Sequence, residues 1–183
     1  LKETYKGYTE FNPEGANSDF VDPDTGENGV LPSLHQKIAL YHMIKEKRFG
    51  VFDGCGTGKT AIATLAQPLI EARLNEEGKE FKRTVIVGPN PSKKAWKNGL
   101  EGELHQRYLA ESQDTAVINE DHVIVNGEKI KKTDKRFIQA LKDSKWIVVN
   151  YDQLPREING SNKSLVDHLI DIEFDYVIFD EGH

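Results

Sequence analysis

Two stretches of the chain combine residue types that could handle a triphosphate. Gly56, Thr57, Gly58, Lys59 and Thr60 spell G-x-G-K-T, between an apolar run (48–52) and a run with helical periodicity (59 onward). Glycines let a loop curl so that several backbone N–H groups face one anion. The helix that follows aims its positive end at the same place. In that setting Lys59 supplies a cation for β- and γ-phosphates, and Thr60 offers a hydroxyl to Mg²⁺. The second stretch closes the sequence: "DYVIFDEGH", residues 175 to 183, runs an apolar strand into Asp180 and Glu181. An apolar strand of a parallel sheet delivers its last residues to the carboxyl edge, where open α/β folds bind ligands. There Asp180 would hold Mg²⁺ through its water shell, hard oxygen ligands suiting that ion. Glu181 would orient or deprotonate an attacking water. The plain alternative is an acidic chain end beside an unrelated glycine turn. Cys55, inside the loop, reads as a small residue that fits it.

The elements needed to position these groups are visible as patterns. A capping signal, Ser33 with Gln36 three residues on, opens a helical stretch whose Leu34, Ile38, Tyr41 and Ile44 share one face. "RFGVF" (48–52) reads as a short strand before the glycine loop, and the helix after it contains Pro68, a kink or break signal. "RTVIVGP", "KWIVVNY" and "DYVIFD" read as buried strands, and residues 92 to 110, "DKRFIQALKDS" and "SLVDHLIDI" as helices. Asn126-Gly127 signals a hairpin within "AVINEDHVIVNGEKI". Residues 1 to 30, rich in Gly, Asn, Asp and Pro, read as an irregular lead-in. Strands alternating with helices predict an α/β fold with a mainly parallel sheet covered on both faces.

Composition excludes several classes. No apolar run approaches the length of a membrane span, so no membrane partner is expected. One cysteine cannot make an internal disulfide, which fits a reducing, cytoplasmic or nuclear compartment. A net charge of −6 argues against a wholly basic nucleic-acid binder, though a local stripe suffices to meet phosphates. "KKAWK" (93–97) and "EKIKKTDKR" (128–136) are the stripes available, or else they are solvated loop lysines. The chain starts at Leu1 rather than Met, as expected of a processed or excised piece.

With these motifs the chain resembles superfamily 2 helicases and translocases, nearest to the Swi/Snf-type DNA-dependent ATPases. The similar features are D-x-x-G-x-G-K-T (Asp53 to Thr60), a glutamine 59 − 36 = 23 residues before the lysine (Gln36), a strand followed by Pro89 and then Trp96, "IVVNYDQL" (147–154), and a DExH box from Asp180 to His183. The sequence departs from the pattern after Pro89, where Pro91 stands in place of the usual serine and Ser92 follows one residue late. The resemblance covers residues 31 to 183 and implies a RecA-like three-layer ATPase lobe that binds ATP and Mg²⁺ and contacts double-stranded DNA. It implies that Gln36 reads adenine and that His183 couples the nucleotide site to the substrate-binding elements. From the residues alone, Gln36 could serve only as the capping box, Trp96 as a core aromatic, and Tyr151 as packing at the sheet edge. In the resembled family the arginines that meet transition-state charge come from a second RecA-like lobe. Another strand also follows the DExH box and lies between its strand and the P-loop strand. Neither is among the 183 residues, so the chain is expected to be a partial lobe with negligible ATP turnover on its own. A non-hydrolysing nucleotide-binding or interaction module, and the motor of a restriction system, are the alternative readings.

Overall fold

A computed structural model describes residues 32–46, 48–52, 54, 56–96, 115–158 and 160–181. They divide into two compact units, 32–80 and 81–181. The irregular lead-in predicted for residues 1 to 30 lies outside the described residues, as do Asp53, Cys55 and His183.

The first unit is a pair of packed helices, α1 (Leu34–Lys45) and α2 (Lys59–Glu76). Ser33 stands at the N-cap of α1, and Gln36 Oε1 accepts its backbone N–H at 2.9 Å, closing the capping box read from the sequence. The apolar face is turned from the predicted one: Leu40 is fully buried, whereas Leu34 and Tyr41 are exposed. Tyr41 instead lies edge-on to His42 and under the Lys45 ammonium. α2 buries Ala61, Ile62, Leu65 and Ala66 and continues through Pro68 without ending there. Proline in a helix interior costs about 3 kcal/mol, and in α2 the buried apolar face outweighs it. The strand expected at 48–52 is not formed. A strand needs a neighbour to take its N–H and C=O groups, and among the described residues this run has none. Phe49 stacks on the His42 ring instead, and Phe52 is fully exposed.

The second unit is built on a six-stranded sheet, β1 (Thr84–Gly88), β2 (Thr115–Ile118), β3 (His122–Val125), β4 (Glu128–Lys131), β5 (Trp146–Asn150) and β6 (Tyr176–Phe179), in the order β4-β3-β2-β5-β1-β6. β2, β5, β1 and β6 run parallel, and β3 and β4 add antiparallel strands at one side. The α/β class and the mainly parallel sheet are thus as expected. Asn126 (φ +53°) and Gly127 (φ +78°) both take the left-handed region that a tight hairpin turn requires. Every residue of β1, β2 and β5 is buried, which explains their continuous apolar spelling.

Among the described residues, this unit also has helices α3 (Ser92–Trp96), α4 (Arg136–Lys142) and α5 (Leu165–Asp171), with a 3₁₀ turn at Tyr151–Gln153 after β5. Of the helix predicted for 92 to 110, the described part is α3 alone. Phe137 and Leu141 of α4 and Leu165 and Leu169 of α5 share a core with Val85, Val87, Ile147 and Val149. Among the described residues no helix is long and apolar enough to cross a membrane.

Arg83 ties the opposite, amino edge of this sheet together. Its guanidinium is buried and donates to the carbonyls of Ile172, Glu173 (2.6 Å) and Lys142 (3.1 Å), the chain ends of α5 and α4. Its own carbonyl accepts the N–H of Asp175 at 3.1 Å, on the approach to β6. Burial pulls the Arg83 pKa below its ordinary value, against the opposing charge of Asp175.

Candidate functional site

In the first unit the glycine loop has the geometry that anion binding asks for. Gly56 and Gly58 both have φ of +77°, which only glycine adopts without strain, and Gly58 is the N-cap of the 18-residue α2. Lys59 folds its side chain back over the loop and donates to the Gly54 carbonyl at 2.7 Å. The Thr57 hydroxyl donates to the same carbonyl at 3.0 Å. A glycine turn at a helix N-terminus with a lysine folded over it is the kind of geometry that can cradle phosphate oxygens.

Gln36 belongs to this cradle. While its Oε1 serves the α1 capping box, its Nε2 donates to the Thr57 carbonyl at 3.2 Å. A Cβ on residue 58 would stand 2.4 Å from that Nε2, the far end of a side chain that can swing aside, so it is the left-handed φ that calls for glycine there. His35 Nε2 also lies 3.2 Å from the Thr57 carbonyl. The structure therefore brings Gln36, Gly56, Thr57, Gly58, Lys59 and Thr60 together in one unit.

In the second unit the carboxyl ends of β1, β5 and β6 lie side by side in register, Gly88 opposite Asn150 and Val87 opposite Phe179. Asp180 follows β6 at this edge, its N–H donating to the Val87 carbonyl at 2.8 Å. The Trp96 indole Nε1–H donates to Asp180 Oδ2 at 2.8 Å, and the Tyr151 hydroxyl donates to the Asp180 carbonyl at 2.9 Å. Burial, and then the Asp180 charge, push the Tyr151 pKa up, keeping it a neutral donor. Glu181 takes φ +52°, a left-handed conformation that costs a non-glycine residue about 1–2 kcal/mol. Backbone strain of this kind gathers at working sites. Asn150, matched in sequence to a strand-end motif, donates to Asn90 Oδ1 at 3.0 Å, joining the loops after β5 and β1.

Gly88 makes the approach of Asp180 possible. A Cβ there would meet Ser92 Oγ at 2.4 Å and Asp180 Cβ at 3.3 Å. Ser92 Oγ is itself held by the Pro89 carbonyl at 2.8 Å. Gly88→Ala is expected to cost about 1–3 kcal/mol by overpacking, read as a lower urea midpoint, with Asp180 displaced. An unchanged midpoint would show that the Ser92 loop gives way freely. Gly88, Trp96 and Tyr151 were not legible as holders of Asp180; the spacing of Pro89 and Trp96 was the one available signal, and it does not say what the indole touches.

The basic stripes are not simply solvated. Lys93 donates to the Ile118 carbonyl at 2.6 Å, and Lys132, buried, donates to Gln153 Oε1 at 2.5 Å. Burial lowers the pKa of both. Arg136 is paired with Asp134 and Glu128. Among the described residues no three His, Cys, Asp or Glu side chains converge as a metal cage. Mg²⁺ shared with phosphate oxygens needs only one or two protein oxygens; Thr60 in the first unit and Asp180 in the second each carry an oxygen of suitable chemistry.

A family model described as "Type III restriction enzyme, res subunit" matches residues 30–183. No curated protein and no solved structure matches the chain.

Proposed function

The chain belongs to the family described as type III restriction enzyme, res subunit, a superfamily 2 helicase-like domain, and from that premise we propose that it is the ATP-binding part of a DNA translocase. The observation that carries this reading is the turn at residues 56–60: two left-handed glycines at the start of α2, with Lys59 reaching the Gly54 carbonyl. ATP–Mg²⁺ is the ligand assigned to it. Backbone N–H groups of Gly56 to Thr60 and the Lys59 ammonium would bind the phosphates, and Gln36 would read the adenine from its place against the loop. Thr60 and Asp180 would serve Mg²⁺, whose charge neutralises the β- and γ-phosphate oxygens. Glu181 would hold the attacking water and take up its proton on the carboxylate. His183 is assigned the coupling of this chemistry to the polynucleotide.

Double-stranded DNA is the proposed track. Two finer readings compete. The sequence motifs favour a Swi/Snf-type translocase, and the matched family favours the motor of a restriction system. The arginines that would complete hydrolysis, worth about 10³ to 10⁵ in rate, are assigned to a second lobe outside these residues. Residues 1–183 alone are therefore expected to bind ATP–Mg²⁺ yet turn it over at no more than about a thousandth of the rate of a two-lobe enzyme. A phosphate-release assay with and without duplex DNA checks this. Robust DNA-stimulated release by this chain would overturn it.

A further inference from the structure

Asp180 is gripped from three directions in the second unit. Its N–H is bonded to β1, its carbonyl to the turn after β5 through Tyr151, and its carboxylate to α3 through Trp96. The first two bonds place the backbone; among the described residues, the indole bond is the one that reaches the carboxylate. We propose that Trp96 is the positioning residue for the metal-handling Asp180 carboxylate: it commits Oδ2 to the indole N–H and so fixes the orientation of the carboxylate that would serve Mg²⁺. The proposal rests on the reading of Asp180 as the Mg²⁺ carboxylate.

The chemistry of the pair supports a role beyond filling space. Trp96 is 1% exposed, so its indole N–H must find an acceptor within the protein. Many neutral carbonyls could meet that need, yet the acceptor is a carboxylate, giving a charge-assisted bond at 2.8 Å. Indole is a donor only and does not titrate, so the bond favours one carboxylate orientation. Partners that orient a metal-handling group in this way typically contribute 10–100-fold to metal affinity or activity. Trp96 also closes the short helix that carries Lys93, so the segment holding the carboxylate is part of one of the two basic stripes.

Two tryptophans, Trp96 and Trp146, give the chain two indole N–H resonances, which makes the test internal. In a ¹⁵N spectrum, ATP with Mg²⁺ is expected to move the Trp96 indole peak and leave the Trp146 peak in place. ATP with EDTA is expected to move neither. Asp180→Asn should displace the same peak and abolish its response to Mg²⁺. Trp96→Phe should weaken ATP binding about tenfold with Mg²⁺ present and leave it unchanged in EDTA. A packing role alone would weaken both equally, and that result would overturn the proposal. Should Trp96→Phe fail to fold, the spectra decide: a Trp96 peak insensitive to both Mg²⁺ and Asp180→Asn overturns it. If the wild-type chain binds ATP through Lys59 with an unmoved Trp96 peak, only this inference fails. If ATP binding does not depend on Lys59, the nucleotide reading fails and takes the inference with it.

Discussion

Lys59→Ala is expected to weaken ATP–Mg²⁺ binding about a hundredfold while shifting the melting temperature by less than about 4 °C. The two effects separate because the lysine has different partners in the two situations. In the folded chain its ammonium donates to the Gly54 loop carbonyl at 2.7 Å in a solvent-facing setting. Net, such a bond contributes about 1 kcal/mol or less, and 1 kcal/mol moves the melting point of a chain this size by about 2–4 °C. Against a triphosphate the same ammonium meets oxygens carrying several negative charges. Hydrogen bonds to charged groups contribute about 1.5–3 kcal/mol, and the upper end of that range is about two decades of affinity. Lys59→Arg is expected to recover only part of the loss, since a planar fork does not occupy the place of a compact ammonium within a tight loop. Titration with a fluorescent ATP analogue, paired with thermal melting, measures both quantities. Equal affinity in wild type and Lys59→Ala would remove the phosphate-loop assignment.

Arg83→Ala should have the opposite profile, a large loss of stability arising far from the loop. The guanidinium is the donor for the carbonyls of Lys142, Ile172 and Glu173, and it is buried. Removing it leaves buried acceptors at the ends of α4 and α5, each costing about 1–3 kcal/mol where water does not replace the donor. Partial rehydration reduces the sum, and we expect a net loss of about 3 kcal/mol, or a melting point lower by about 6–12 °C. Arg83→Met keeps the apolar stem but supplies no donor, so it should recover less than half of the loss. Urea denaturation followed by circular dichroism tests this. A loss below about 1 kcal/mol would mean that the carbonyls find water and that the brace is dispensable. Because the residues Arg83 holds lead directly into β6, loosening them is also expected to reach Asp180.

Sequence by itself determined the features whose causes are local. The two glycines before Lys59 and Thr60 read as a tight turn opening a helix, because φ and helix polarity are properties of a few adjacent residues. The Ser33–Gln36 capping box and the Asn126-Gly127 turn were legible for the same reason. The all-apolar spelling of β1 and β5 announced a parallel, doubly covered sheet, since only strands buried on both faces tolerate it.

Tertiary structure decided what depends on distant partners. The apolar run at 48–52 looked like a strand, but pairing requires a neighbour that no local pattern supplies, and Phe49 settled on His42. Helical spacing pointed to Leu34 and Tyr41 as core, yet packing of α1 on α2 buried Leu40. Most of all, the surroundings of Asp180 were invisible in the sequence. Trp96 reaches it across 84 residues and Tyr151 across 29, and Gly88 leaves the room that lets them meet. The sequence named the carboxylate because an apolar strand must end at the sheet's carboxyl edge. Which indole, hydroxyl and glycine hold it there follows from the strand order β5-β1-β6, which sets three chain segments side by side.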